Sequence, residues 1–167
     1  MTKSFVAVMM GSDSDLGTMQ ATLDVLERLG IRYELKIASA HRTPDITHDY
    51  VKSAERRGCA VFIAAAGLAN HLSGTVAALT LKPVIGVPMA SGPLQGNDAL
   101  LSTVQMPGGV PVACVAIGSP GAKNAAYLAA QILALSDSAI AKRLADDRAQ
   151  TAAEIIAKDQ AVGKRLE

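Results

Sequence analysis

Apolar runs of strand length recur at residues 5–10, 33–38, 60–65, 84–87 and 112–117, and stretches of helical length separate them. The runs show little polar alternation, which predicts strands covered on both faces by helices rather than a sheet with one wet side. Strand and helix in regular alternation predict a parallel sheet joined by right-handed crossovers. Between the first two runs, Leu16, Met19, Leu23, Leu26 and Leu29 recur at spacings of three and four, and Gly30 follows as a stop signal. A second helix should begin with Thr43 as cap and Pro44 at the first helical position, and run to about Arg57 before Gly58. Further helices are expected over 70–80, shortly after Gly96, and over 122–135.

These elements assemble into one α/β domain spanning 1–167. It should be a three-layer sandwich around a central parallel sheet of about five strands, flavodoxin-like or Rossmann-like, with a C-terminal helical tail over 136–167. A chain of 167 residues is long enough to bury a full core and too short for two ordinary domains. The helix over 122–135 is almost wholly alanine, leucine and isoleucine, so a lone subunit would expose apolar surface and self-association is expected. The tail carries six basic and six acidic residues, with Ile140, Leu144, Ala152, Ile155 and Ile156 as a thin apolar stripe. It could pack on its own core or on a neighbouring subunit.

Composition removes several classes of function. A net charge of +1, scattered basic residues and five aromatics give no basis for binding nucleic acid. The longest apolar stretches fall short of the roughly 20 residues that span a bilayer, so no membrane anchor is expected. The first residues lack the pattern of a secretory signal, which makes a cytoplasmic location the default. Cys59 and Cys114 sit at or within apolar runs and should be reduced, inert packing residues. Phosphate-loop, dinucleotide-fingerprint, metal-ligand and nucleophile-elbow motifs are all missing.

Candidate chemistry lies where strands stop, because ligands of open parallel sheets bind beyond the carboxyl ends of the strands. After the second run, Ser39-Ala40-His41-Arg42-Thr43-Pro44 delivers an imidazole suited to proton transfer and a guanidinium suited to a phosphate or carboxylate. Structural hydrogen bonding or a surface ion pair would use the same two residues. After the first run, Gly11-Ser12-Asp13-Ser14-Asp15 offers backbone, hydroxyls and a carboxylate at a helix start, which suits a ribose phosphate or simply caps the helix. After the third run, Ala64 to Gly74 is a series of small residues interrupted by Leu68, Asn70, His71 and Leu72. Such a segment either exposes backbone to a ligand or allows tight helix packing, with His71 a cap or a ligand contact. His48 reads as an ordinary helix-surface residue. The glycine and proline loops over 88–96 and 105–111 are either covers for a pocket or plain connectors.

Taken together, Met10-Gly11-Ser12-Asp13-Ser14-Asp15, Ser39-Ala40-His41-Arg42-Thr43-Pro44, His71-Leu72, Gly86-Val87-Pro88, Gln105-Met106-Pro107 and Ala116-Ile117-Gly118 resemble the PurE-type family, the catalytic subunit of phosphoribosylaminoimidazole carboxylase. Within it, Arg42 in place of lysine points to the bacterial 5-(carboxyamino)imidazole ribonucleotide mutases rather than to the enzymes that carboxylate aminoimidazole ribonucleotide directly with carbon dioxide. The resemblance implies an isomerase of purine biosynthesis that needs no cofactor or metal, with a small ribonucleotide as substrate. It also implies a homo-octamer. His41 would carry the proton transfers, Arg42 would hold the phosphate, and Ser12 and Asp15 would hold the ribose phosphate portion. Ser14, Ser39, Gly67, Ala69, His71 and Leu72 complete the expected substrate site. Four positions depart from the family pattern: Ala65, Leu68, Asn70 and Ser73 stand where glycine, glycine, alanine and proline are frequent. A non-catalytic module that binds a nucleotide phosphate is the reading of another class.

Overall fold

A computed structural model describes residues 4–163 of the chain. Five parallel strands, β1 (Phe5–Met10), β2 (Tyr33–Ile37), β3 (Cys59–Ala66), β4 (Val84–Pro88) and β5 (Ala113–Cys114), form one sheet in the order β2-β1-β3-β4-β5. Six helices accompany them: α1 (Leu16–Arg28), α2 (Pro44–Arg56), α3 (His71–Leu79), α4 (Asn97–Val104), α5 (Ser119–Ala134) and α6 (Ser138–Gly163), and a single 3-10 turn, Asp13–Asp15, precedes α1. The order is that of a flavodoxin-like fold, in which the chain leaves β1 toward opposite edges of the sheet.

Alternation of side chains along β1 explains the layering. Val6, Val8 and Met10 point into a core shared with α1 and α5, built from Met19, Leu23, Leu26, Ala122, Ala126 and Ala129. Phe5, Ala7 and Met9 point into the opposite core with Val51 and Ala54 of α2 and Leu72 and Val76 of α3. Every residue of β1 is therefore buried, as the unbroken apolar run predicts. The alanines of α5 allow close approach to α1 and the sheet, so much of the surface expected to be exposed on this helix is covered within the chain. Gly121 is required there: a Cβ at that position would lie 1.6 Å from the Ala116 carbonyl oxygen.

Three expectations are corrected. β2 is an edge strand, and Leu35 and Ile37, on the face of Val8 and Met10, are exposed because the helices that cover β1 on that face do not extend over them. The fifth strand is two residues long rather than six, since it borders β4 alone and its ladder ends at Gly86↔Cys114. The helix expected over 122–135 begins at Ser119, with Pro120 in its first turn where a missing amide hydrogen is harmless. Both cysteines are free thiols, and burial pushes Cys59 up to about 11 and raises Cys114 as well.

The proximal part of the tail is fixed to the body. Ile140 is buried, Arg143 donates to the Leu29 carbonyl at 2.5 Å, and Asp147 accepts from Arg28 at 2.7 Å and from the Tyr127 hydroxyl at 2.6 Å. Ile155 and Ile156 further along α6 are exposed. Chiefly through the Tyr127 hydroxyl, and then through Arg28, the Asp147 carboxyl is held below the ordinary value of 3.8. Its stabilising contribution is complete above that ordinary value and is lost as pH falls through the lower folded-state value. Protection of amides over 138–151 from exchange, relative to their intrinsic rates, should fall on acidification below about pH 4 more than protection in β1 does, and Asp147→Asn should remove that difference.

Candidate active site

Register brings the strand ends to one level. Met10 pairs with Ile37 on one side and Ala65 on the other, and Ala66 pairs with Pro88. Backbone hydrogen bonds continue one step further, from Gly11 to the Ala65 carbonyl at 3.0 Å, from Ala38 to Met10 at 2.9 Å and from Met89 to Ala66 at 3.0 Å. The loops after β1, β2, β3 and β4 therefore leave the sheet from fixed positions. Between them lies a cleft of about 560 Å³. Its walls include Ser12, Ser14, Asp15, Ser39, His41, Arg42, Gly67, Ala69, His71 and Leu72, so all ten candidate residues meet at one place.

The loop after β2 is tied back upon itself. Ser39 donates its backbone amide to Thr43 Oγ1 at 2.9 Å, the Thr43 hydroxyl and amide both donate to the Ser39 carbonyl, and the Arg42 amide donates to Ser39 Oγ at 3.1 Å. Thr43 occupies the cap position of α2 but makes no side-chain bond to the helix amides. Its hydroxyl closes the loop instead, and His41 and Arg42 project from the closed turn. Arg42 Nη2 also donates to the Gly11 carbonyl at 3.1 Å, which joins the second loop to the first.

In the first loop Ser12, extended at φ −150°, caps the 3-10 turn by accepting the Ser14 amide at 3.3 Å. The Ser14 hydroxyl donates to Ser12 Oγ at 2.9 Å, and Ser12 Oγ donates onward to Asp13. Ser12 thus caps this turn, while Asp15, at the cap position of α1, makes no side-chain bond to the helix amides. Asp15 is 8% exposed, and burial pushes its carboxyl above the ordinary range, with Asp13 adding to the rise and the Ser12 backbone opposing it. A carboxyl so placed costs stability unless a ligand hydroxyl or a shared proton satisfies it.

From the third loop comes a contact that separate strand-end motifs do not reveal. His71, the first residue of α3, places Nδ1 2.6 Å from His41 Nε2, with the rings edge to face and their centroids 4.7 Å apart. One proton shared in that contact fixes the tautomer of each ring relative to the other. Thirty residues of sequence separate the two, and no local signal pairs them. Gly67 lies beneath Ser91 of the loop after β4: a Cβ there would be 1.6 Å from Ser91 Oγ and 2.9 Å from its Cβ. Ser91 lines the cleft and was not among the expected site residues, although its loop was a candidate cover. Leu68 adopts φ 54°, a left-handed conformation that glycine takes without strain.

The other candidates lie elsewhere. His48 is on the surface of α2 beside Asp49. The loop over 105–111 does not line the cleft; Gly109, Val110 and Pro111 border a separate groove with Lys52 and Leu81. Among the described residues no group of three metal-ligating side chains comes together, and no helix is long and apolar enough to cross a membrane.

Comparison with known proteins agrees with this architecture. Residues 5–154 match the family model described as AIR carboxylase. The chain is 51% identical over 158 residues to the N5-carboxyaminoimidazole ribonucleotide mutase of Bacillus subtilis, a match covering 94% of this chain and 98% of that protein. It is 50% identical over 151 residues to the mutase of the same name from Escherichia coli K12, covering 90% and 89% respectively. Its fold is similar to the crystal structure of Treponema denticola PurE, with a TM-score of 0.85 at 34% identity, covering 95% of this chain and 98% of that one.

Proposed function

The chain belongs to the AIR carboxylase family, and from that premise we propose that it is a mutase converting N5-carboxyaminoimidazole ribonucleotide into 4-carboxy-5-aminoimidazole ribonucleotide in purine biosynthesis. The observation that carries the reading into mechanism is the His41–His71 contact at 2.6 Å, in a cleft whose other wall presents Ser12, Ser14, Asp15 and Arg42. Arg42 holds the substrate phosphate, while Ser12 and Asp15 hold the ribose phosphate portion. Ser14, Ser39, Gly67, Ala69 and Leu72 shape the remainder. This places the heterocycle against the histidines.

The substrate needs little activation beyond proton management, because an aminoimidazole is an electron-rich enamine with a nucleophilic C4. His41 donates a proton to the carbamate nitrogen, the N–C bond breaks, and carbon dioxide and aminoimidazole ribonucleotide are left together in the cleft. C4 then attacks carbon dioxide, forming the C–C bond. The C4 proton returns to His41, so the ring ends the cycle as it began. His71 holds His41 in the tautomer and orientation that both transfers need. Confinement keeps the carbon dioxide from escaping.

The family's direct-carboxylation chemistry is the less favoured reading, since the curated relatives at about 50% identity carry the mutase name. The deciding experiment incubates the metal-free protein with N5-carboxyaminoimidazole ribonucleotide and follows the carbon-bound carboxylate. Product should form without added bicarbonate. Product from aminoimidazole ribonucleotide and carbon dioxide, with none from N5-carboxyaminoimidazole ribonucleotide, would transfer the assignment to direct carboxylation, and no turnover from either substrate would leave a nucleotide-binding module.

Close packing of Ser91 over Gly67 yields a second measurement. Gly67→Ala should raise KM roughly tenfold through displacement of Ser91 and the cleft wall, with an unchanged far-ultraviolet spectrum. A homo-oligomer, the octamer of the resembled family, is supported by exposed Leu101 and Val104 on α4 and exposed Ile155 and Ile156 on α6. Residues of the tail beyond Asp147 are then available to a neighbouring subunit, and the assembly works in the cytoplasm.

A further inference from the structure

We infer that Asn70 is a positioning residue for the histidine pair, tying the start of α3, and with it His71, to α4. The inference rests on the catalytic reading of the cleft given above. Asn70 is fully buried although polar. Its backbone amide donates to Ser102 Oγ at 2.9 Å and its Nδ2 to Thr103 Oγ1 at 2.8 Å. Both acceptors are themselves anchored: Ser102 Oγ donates to the Asp98 carbonyl at 2.8 Å and Thr103 Oγ1 to the Ala99 carbonyl at 2.6 Å. The tether therefore ends on the rigid backbone of a helix.

Two further features argue that the tether serves placement rather than stability. Asparagine at a helix start ordinarily bonds the first-turn amides, yet Asn70 occupies the cap position of α3 without such a bond, because its side chain is turned toward α4. The cost of that choice is visible. Among the described residues, the buried side-chain polar atoms left without a partner are Asn70 Oδ1 and Ser73 Oγ, both at the turn that carries His71. An orphaned buried acceptor is destabilising, so the direction taken by the Asn70 side chain is a cost set against its bond to α4. The bonds from Asn70 to Ser102 and Thr103 restrain the first turn of α3. The ring of His71, one residue on, then meets His41 at 2.6 Å.

The test uses the full-length Asn70→Ala and Thr103→Val proteins. Alanine removes the side-chain half of the tether together with the orphaned oxygen, the backbone amide keeps its bond to Ser102, and Thr103 keeps its bond to Ala99, so the melting temperature should be little changed. Turnover should fall about tenfold, in line with the sensitivity of proton transfer to small misplacements, with KM within about twofold and a displaced pH–rate profile. Nitrogen-15 resonances of the His41 and His71 rings should shift in both variants. Thr103→Val, a nearly isosteric change that removes the acceptor together with the bond Thr103 donates to Ala99 within α4, should reproduce the turnover loss and covers the case in which Asn70→Ala fails to fold. Unchanged turnover in a folded variant, or unshifted ring resonances, would overturn the positioning role. The ring resonances are read without substrate, so they test the tether even if the mutase assignment itself fails.

Discussion

His41→Asn should lower turnover by at least roughly 10²–10⁴-fold, the range contributed by a positioned acid–base group, while KM stays close to that of the unaltered protein. Asparagine matches the imidazole only as far as Nδ1, so the closed loop between Ser39 and Thr43 should survive while the contact that His41 makes to His71 through Nε2 is lost. It cannot take up and release a proton near neutral pH. The residual rate should also lose the pH dependence that an imidazole imposes. Steady-state kinetics over a range of pH, with substrate binding by calorimetry, decide the matter. Turnover within a few-fold of the parent would remove His41 from the mechanism, and a matching loss of affinity would make it a binding residue.

Arg42→Ala should act on the other parameter. A guanidinium holding a phosphate does so equally in the ground state and the transition state, so its loss raises KM and leaves turnover at saturation largely intact. A charge-assisted hydrogen bond contributes about 1.5–3 kcal/mol, which corresponds to roughly a ten- to hundredfold rise in KM. The bond from Arg42 to the Gly11 carbonyl adds a structural component, because the first and second loops are joined through it. Arg42→Lys should recover the charge but not the fork that reaches carbonyl and phosphate together. A large drop in turnover with unchanged affinity would instead bring Arg42 into the chemical step.

The layered fold was legible because its signal is local. Each run along β1, β3 and β4 is apolar at successive positions, and only a strand between two helical layers buries both parities at once. The helix carrying Leu16, Met19, Leu23 and Leu26 was equally legible from its spacing, and Met19, Leu23 and Leu26 are among the residues it buries, with Thr22 and Val25. Edges were less legible. Leu35 and Ile37 are apolar but exposed, since sequence does not say which strand lies outermost. Position 43 shows a subtler limit: threonine is equally able to cap a helix or to bond backward to its own loop, and the choice made here depends on the Ser39 backbone. At the site, the loops could be named from the strand ends they follow. The meeting of His41 with His71, the descent of Ser91 upon Gly67 and the anchoring of Asn70 to α4 are all long-range, and they emerge only once the strand order is known.

One consequence of the doubly buried β1 concerns folding fidelity. Apolar side chains at every position mean that a slip of one residue would still sequester greasy surface, so the energetic bias toward correct alignment comes from the fit of individual shapes such as Phe5 and Met10. A misaligned subunit could thus remain compact and yet present its turns at unequal heights. For such a molecule, catalytic competence is a more sensitive gauge of native alignment than melting temperature, and insertions within these strands should silence the enzyme well before they unfold it.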